Sequence, residues 1–225
     1  VEARWGLMSG LDEVRARWRQ YYKGRKGGFA LVQNGLSPDD VKKPFIGVAN
    51  TWNEIVPGHL YLREVSRFVR DGIKGAAGAS LEFNTIATCD GYGYGYEKPD
   101  TWKYCLPVRD VTADSVEVIA RHVDFDGMVL LSACDKSNPG MQMAAARLDM
   151  PAILVPAGLN FRRCPGTGLG TATTGQCMAE ALGMALPRTA TTFTLTPPHE
   201  ELARRAGAMV VELAKSRIKP SHIMT

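Results

Sequence analysis

The sequence has little of what marks membrane, secreted or nucleic-acid-binding proteins. Its 225 residues contain no apolar run near the roughly 20 residues that a bilayer-spanning helix needs. The first residues lack the basic-then-apolar layout of a secretory signal. The net charge is only +4, and Lys and Arg form no basic stripe of the kind that binds nucleic acid. We therefore expect a cytoplasmic protein without a membrane or nucleic-acid partner.

Cysteine is scarce and irregularly spaced. The five cysteines are Cys89, Cys105, Cys134, Cys164 and Cys177. Their number is odd and no pair forms a Cys-x-x-Cys motif, which argues against a disulfide framework and against a zinc ribbon. If these thiols bind a metal, they must converge from loops that are distant in the sequence.

The rest of the composition is that of a globular protein, with 45% hydrophobic and 22% charged residues. Residues 8–21 form a weakly amphipathic helical pattern, and residues 22–43 are rich in Gly and Lys. The sequence thus predicts a helix and an irregular lead-in over 1–43. A single α/β domain is expected over 44–225.

Short apolar runs alternate with helical patterns along this domain. The runs predict strands over 45–49, 83–87, 127–131 and 152–155. The helical patterns cover 60–73, 111–123, 139–148, 176–186 and 200–216. Buried strands that alternate with helices indicate an α/β fold with a mostly parallel sheet flanked by helices on both faces.

Four segments follow the ends of these predicted strands and are candidates for a site. They are residues 50–53, 89–90, 134–136 and the Gly/Thr-rich stretch 166–175. In open parallel sheets, ligands bind beyond the carboxyl ends of the strands, so these segments are expected to converge. The last segment lacks the Gly-Lys-Ser/Thr of a P-loop, which makes a nucleotide site a weaker interpretation.

Cys134, Asp135 and Lys136 form the strongest local signal. They are expected in a turn between a strand and a helix, where consecutive side chains point in different directions. One triplet can then bind a soft metal through sulfur and a hard cation through oxygen. A buried structural Cys beside an exposed Asp–Lys pair explains the same pattern equally well.

Two other residues allow both a functional and a structural interpretation. Asp90 can be a Mg²⁺ ligand, with Gly91 allowing close backbone approach, or part of an ordinary Asp-Gly turn. His59 follows the first predicted strand and can contact a ligand there or serve the fold alone. His122 is expected to be a structural helix residue.

Taken together, the motifs resemble those of the dihydroxy-acid dehydratase family, which includes 6-phosphogluconate and sugar-acid dehydratases. The matching stretches are residues 47–59, 82–86, 106–110 with 113–115, 134–141, 144–148 and 180–183. They occur in the family's order over about residues 44–220, and the ordered set is more specific than any single motif.

The resemblance implies a fold, a chemistry and a set of ligands. It implies an iron–sulfur cluster, of 2Fe–2S or 4Fe–4S type, that acts as a Lewis acid on a departing hydroxyl, and Mg²⁺ that holds the substrate carboxylate. Carried over by motif, Cys134 is a cluster ligand, and Asp90 and Asp135 are Mg²⁺ ligands. Cys164, near the place of a later cluster cysteine, is expected to substitute for it as a cluster ligand. Lys136 matches a catalytic lysine that can be carbamylated and then binds Mg²⁺ as well.

The sequence departs from the family pattern in three places. Gly58 occupies the position of the first cluster cysteine of many members, although others share the Pro-Gly-His version. Gly166 occupies the position expected for a later cluster cysteine, and Cys164 lies two residues before it. A segment that the family has between residues 159 and 164 is expected to be missing.

These features lead to one main hypothesis and two alternatives. The main hypothesis is a hydro-lyase of 2,3-dihydroxy or sugar acids that gives 2-oxo acids, as in branched-chain amino-acid biosynthesis. Family members are commonly dimers, and they continue beyond the counterpart of Thr225 into a domain with the catalytic base. A homodimer, or a second chain that supplies this domain, is therefore expected. The alternatives are a non-catalytic remnant that binds a partner, and a nucleotide-binding α/β protein.

Overall fold

A computed structural model describes residues 34–37, 39–89, 100, 102–160 and 172–224. The chain divides into two units, Val1–Lys43 and Pro44–Thr225. Of the first unit the structure describes a 3-10 turn at Asp40–Lys42 and its neighbours. The helix predicted over 8–21 lies outside the described residues, and the division into domains stays a prediction.

Four parallel strands form the sheet of the second unit. They are β1 Phe45–Asn50, β2 Ala79–Asn84, β3 Gly127–Ser132 and β4 Ala152–Pro156. Their order is β2-β1-β3-β4, and every pair is parallel. This arrangement confirms the predicted fold class. The order reverses between β1 and β3, which is the place where open sheets of this kind form ligand crevices.

Helices connect and cover the strands. They are α1 Leu62–Gly75, α2 Trp102–Cys105, α3 Val108–Val123, α4 Cys134–Leu148, α5 Thr174–Ala181 and α6 Pro197–Ser216. Short 3-10 turns lie at Pro57–His59 and Pro220–His222. Among the helices that the structure describes, none has the length and apolar character needed to cross a membrane.

One face of the sheet packs against α1 and α6. Alternate residues of the strands, among them Ile46, Val129 and Val155, form a continuous apolar core with side chains from both helices. The two helices cross closely because glycines face each other's backbone. A Cβ added to Gly72 would lie 1.9 Å from the carbonyl oxygen of Arg204, and one added to Gly207 would lie 2.1 Å from that of Val69.

The opposite face carries α3 and α4, which pack along each other. Gly140 of α4 permits this approach, since a Cβ there would meet the backbone oxygen of Arg109 at 2.8 Å. The first turn of α5 lies beside the first turn of α4, because the Cβ position of Gly175 is 3.2 Å from the Cβ of Asn138. Both helices therefore begin at the carboxyl edge of the sheet.

The observed bounds of three elements correct the predicted ones. β2 spans Ala79–Asn84 rather than 83–87, because this edge strand is half-exposed and mixes polar with apolar residues. α5 ends at Ala181 rather than 186, where Gly183 takes a left-handed φ of 75°. α4 begins at Cys134 rather than at Pro139, so the triplet predicted to form a turn before the helix is its first turn.

Candidate functional site

The loops that follow the four strands meet at one edge of the sheet. Thr51 donates to the carbonyl of Leu131 through its N–H at 3.1 Å and through Oγ1 at 3.0 Å. Thr85 donates its N–H to the carbonyl of Asn50 at 2.9 Å, and Ala157 to that of Ser132 at 2.9 Å. The carboxyl ends of the strands therefore lie side by side. In the described segments, the loops that follow them converge as predicted.

Asparagine side chains shape the loop after β1. Asn53 Oδ1 accepts the N–H groups of Ile55 at 3.1 Å and Val56 at 2.8 Å, which closes a local turn. Asn50 accepts the N–H of Trp52 at 2.8 Å and donates to Glu82 at 2.6 Å. The segment predicted as a candidate site over 50–53 therefore holds the loop in place by its own side chains.

His59 joins this loop to the first turn of α4. Its side chain is fully buried, with Nδ1 2.8 Å from the carbonyl of Thr51 and Nε2 3.3 Å from Oγ of Ser137. Burial lowers the pKa of His59 to about 4, so the ring is neutral at pH 7. Of the two interpretations given to His59, the structure supports the one in which it serves the fold.

The first turn of α4 is built on an unusual backbone. Cys134 has a left-handed φ of 59°, which costs an L-residue about 1–2 kcal/mol. Asn138 donates to the carbonyl of Cys134 at 2.7 Å and accepts from Ser132 Oγ at 2.7 Å. Ser137 donates to the carbonyl of Ala133. These side-chain hydrogen bonds stabilise the first turn of a helix in which Pro139 cannot donate a backbone hydrogen bond.

Asp135 and Lys136 extend from this turn as an ion pair. Lys136 Nζ lies 2.7 Å from Asp135 Oδ2, and the lysine side chain is 11% exposed whereas that of Asp135 is 43% exposed. The carboxylate lies in the first turn of a helix, where the macrodipole favours negative charge. One buried amine and one accessible carboxylate thus share the edge of the crevice.

Two thiols from different loops meet beside this turn. The Cys89 thiol, in the loop after β2, hydrogen bonds with the buried thiol of Cys134, and both are unoxidised. This contact, together with burial, raises the pKa of Cys134 well above its usual value. The N–H of Ala172 points to the Cys134 sulfur and opposes that shift.

The loop that carries Cys89 is fastened to α3 by side chains. Thr85 Oγ1 hydrogen bonds with Ser115 Oγ, and Thr112 Oγ1 donates to the carbonyl of Ile86 at 2.8 Å. The motif over 113–115, which the sequence marks as a family feature, therefore includes a residue that positions this loop. Cys89 is therefore held near α3 by the hydrogen bonds of its loop, and near α4 by its contact with Cys134.

A cavity of about 260 Å³ opens beside Cys89. Its lining residues are Ile55, Val56, Ala87, Thr88, Cys89, Tyr104 and Cys105. The wall is mostly apolar, but Thr88 Oγ1 is buried and has no hydrogen-bond partner among the described residues. A buried hydroxyl without a partner costs free energy, and this one is available to a group bound in the cavity.

Two predicted ligands, Asp90 and Cys164, lie outside the described residues. Of the predicted site residues, the structure brings Cys134, Asp135 and Lys136 together on one turn. Within the described ranges, no three or more His, Cys, Asp or Glu side chains group closely enough to hold a single metal ion. The described residues instead bring two thiols from different loops into contact.

Sequence analysis missed residues that the structure places at the site. Cys89 was included in the candidate segment 89–90 but was given no role, although its position after a strand matches that of Cys134. Gln176 is fully buried, accepts the N–H of Gly158 at 2.8 Å and so fixes the loop after β4 to α5. A polar residue on the buried side of a helix was the available signal for both Asn138 and Gln176.

Fold and site together define a class of protein. It is an open parallel α/β protein with a crevice at the reversal of strand order, in which thiol, carboxylate and amine groups meet. The family profile of the dihydroxy-acid/6-phosphogluconate dehydratase N-terminal domain matches residues 43–166 and 162–225. The chain belongs to this family.

Relatives with curated names lead to the same family. The chain is 40% identical to a dihydroxy-acid dehydratase of Methanothermobacter thermautotrophicus over 235 residues, which covers 87% of the chain and 42% of the relative. A dihydroxy-acid dehydratase of Caldanaerobacter subterraneus is 38% identical, with the same coverage. One of Dehalococcoides mccartyi is 37% identical and covers 85% of the chain. The chain spans about 42% of the length of these relatives.

Proposed function

We propose that this chain is the cluster- and metal-binding part of a hydro-lyase that converts 2,3-dihydroxy carboxylic acids to 2-oxo acids. The observation that carries the proposal is the first turn of α4. It presents Cys134, Asp135 and Lys136 at the crevice on a strained backbone, in a chain whose relatives are named dihydroxy-acid dehydratases. Strained backbone of this kind is concentrated at functional sites.

The donor atoms fit the groups that the reaction needs. Thiolates bind iron–sulfur clusters, and Cys134 offers a buried sulfur beside a second one. Carboxylate oxygens bind Mg²⁺, and Asp135 offers an accessible carboxylate next to Lys136. Asp90 is proposed as a further Mg²⁺ ligand on its motif alone, and Cys164 as a further cluster ligand in place of the cysteine expected at Gly166.

In the proposed reaction the substrate loses the hydroxyl of C3 and the proton of C2 as water, and the resulting enol becomes the 2-oxo acid. A bound cluster and Mg²⁺ would supply positive charge for the departing hydroxyl and for the carboxylate. The chain's own residues orient these groups: Asn138 and Ser137 hold the first turn of α4, and His59 fixes it to the loop after β1.

Lys136 has a place in this scheme as an anionic ligand. Its amine, once deprotonated, can add to CO₂ and release a proton, which gives a carbamate with two oxygens. The amine lies 2.7 Å from Asp135 Oδ2, so a carbamate on Lys136 and the Asp135 carboxylate would face one cation.

The proposal extends to the whole protein that these relatives represent. We propose a dihydroxy or sugar acid as the small-molecule partner, the cytoplasm as location, and a homodimer as the assembly. A place in branched-chain amino-acid biosynthesis is part of the same proposal.

The test measures metal content rather than turnover. The chain is purified without oxygen, supplied with iron, sulfide and Mg²⁺, and compared with Cys134→Ala, Cys164→Ala and Asp135→Asn. We expect stoichiometric iron and sulfide that are lost in both cysteine variants, and Mg²⁺ that is lost in Asp135→Asn with iron retained. Absence of iron from the unaltered chain would contradict the proposal and leave a family fold without its Lewis acid.

A further inference from the structure

Neither the sequence motifs nor the relatives' names give Cys89 a role. Its loop is fastened to α3 by two side-chain hydrogen bonds, and its thiol meets that of Cys134. Thiols brought together from separate loops, and not joined as a disulfide, are the arrangement that a metal cluster requires.

We propose that Cys89 is a further thiolate ligand of the iron–sulfur cluster, beside Cys134. This inference rests on the proposed function, because it presupposes the cluster. Gly58 lies in the turn after β1 and is buried, so that loop offers no sulfur at this position. The loop after β2, on the neighbouring strand, supplies one.

The surroundings of Cys89 differ from those of a cysteine that merely fills space. Cys105 lines the same cavity, but it lies on α2 with only 5% of its surface exposed. Cys89 is only half-buried at the cavity wall. What sets Cys89 apart is the contact of its thiol with that of Cys134, and not its exposure alone.

Thr88 provides an independent sign of a bound group. Its hydroxyl is buried beside Cys89 and has no hydrogen-bond partner among the described residues. The sulfides of a cluster accept hydrogen bonds, and such bonds tune the reduction potential. A cluster held by Cys89 and Cys134 would give this hydroxyl the partner that it lacks.

The first experiment compares cluster content and spectra of Cys89→Ala, Cys134→Ala and the control Cys177→Ala, whose thiol is exposed on α5. Each protein is reconstituted with iron and sulfide, and electron paramagnetic resonance of the reduced cluster is recorded. We expect Cys89→Ala to lose iron and sulfide to the level of Cys134→Ala, or to retain a cluster with an altered spectrum. Cys177→Ala should match the unaltered chain.

A second experiment needs no variant and so does not depend on how a substitution folds. The unaltered chain is alkylated with iodoacetamide before and after reconstitution, and each cysteine is quantified by mass spectrometry. We expect Cys89 to be labelled without iron and protected with it, while Cys177 is labelled in both states.

The possible outcomes separate this inference from the proposed function. Iron that is lost in Cys134→Ala but unchanged in amount and spectrum in Cys89→Ala, with Cys89 still labelled, would overturn the role of Cys89 and leave the proposed function standing. No iron in any of the proteins would overturn both.

Discussion

Two tightly packed regions of this molecule are built on opposite principles. Where α1 crosses α6, glycines bring two backbones together and the surroundings are apolar. The other region is the first turn of α4 with the adjoining loop after β2. There, polar side chains occupy buried positions and Cys134 adopts a left-handed backbone. In the loop, the Thr88 hydroxyl has no hydrogen-bond partner among the described residues. The first region can be explained by stability alone.

The second region contains costs that stability does not explain. A left-handed L-residue and a buried hydroxyl without a partner each lower the free energy of unfolding by about 1 kcal/mol or more. Such costs persist at functional sites because the surrounding fold maintains them. The contrast predicts that substitutions at the helix crossing change only the free energy of unfolding. Substitutions that relieve strain at the first turn of α4 should raise the free energy of unfolding but impair metal binding.

The largest effect is expected at the helix crossing. Gly207→Ala would place a Cβ 2.1 Å from the carbonyl oxygen of Val69, and backbone cannot yield there unless the helices separate. We expect a loss of about 3 kcal/mol in the free energy of unfolding, measured by urea denaturation. Gly75→Ala is the matched control, because its Cβ meets nothing within 4 Å. Equal stability of the two variants would show that the crossing is looser than described.

Acid should weaken the other region. Burial holds the pKa of His59 at about 4, below its ordinary value of 6.5, so the unfolded chain binds the proton first as pH falls. The stabilisation by neutral His59 is present above pH 6.5 and is lost as the pH falls toward 4. Between pH 7 and pH 5 we expect a loss of about 2 kcal/mol from this group.

The contribution of His59 is isolated by comparison with His59→Gln in the same denaturation series. The pKa of His199 is also lowered, chiefly by burial, and contributes with the same sign in both proteins. The stability difference between the unaltered chain and His59→Gln should therefore shrink as the pH is lowered. A difference that stays constant from neutral to acid pH would contradict the assignment.

A third prediction concerns the strain at Cys134. Glycine adopts a left-handed φ without steric cost, so Cys134→Gly should be more stable than Cys134→Ala by about 1 kcal/mol. Ala77, at the exposed turn after α1 with a φ of 60°, is the matched site, and Ala77→Gly should stabilise the chain to a similar extent. The substitutions at Cys134 should abolish iron binding, whereas Ala77→Gly should leave it unchanged. A Cys134→Gly variant less stable than Cys134→Ala would show that the left-handed backbone is not a source of strain.

The sequence was informative where burial makes a pattern continuous. β1, β3 and β4 are buried along their whole length, so their apolar runs predicted them within a residue or so at each end. β2 is a half-exposed edge strand, and its polar residues concealed it in part. The start of α4 was hidden because Pro139 lies inside the helix, while side-chain hydrogen bonds that no periodic pattern reveals stabilise the first turn.

The site was predictable in part for a similar reason. Cys134, Asp135 and Lys136 are consecutive, and a strand end predicted their place at the sheet edge. The meeting of Cys89 with Cys134 depends on the order of the strands, because β2 and β3 lie on either side of β1. Sequence periodicity gives the strands but not their neighbours, so this contact required the three-dimensional structure.

The smallest effect is expected at the far end of α4. Arg147 faces Asp114 at 2.6 Å, Asp110 at 3.6 Å and Glu117 at 3.9 Å, all across the exposed groove to α3. Solvent screens such pairs, so Arg147→Gln should lower the free energy of unfolding by less than about 1 kcal/mol, and by still less at about 1 M salt. Denaturation at low and high salt measures both values. A loss as large as that of Gly207→Ala would mean that these ion pairs contribute as much to the packing of α4 on α3 as close backbone contact contributes to the packing of α6 on α1.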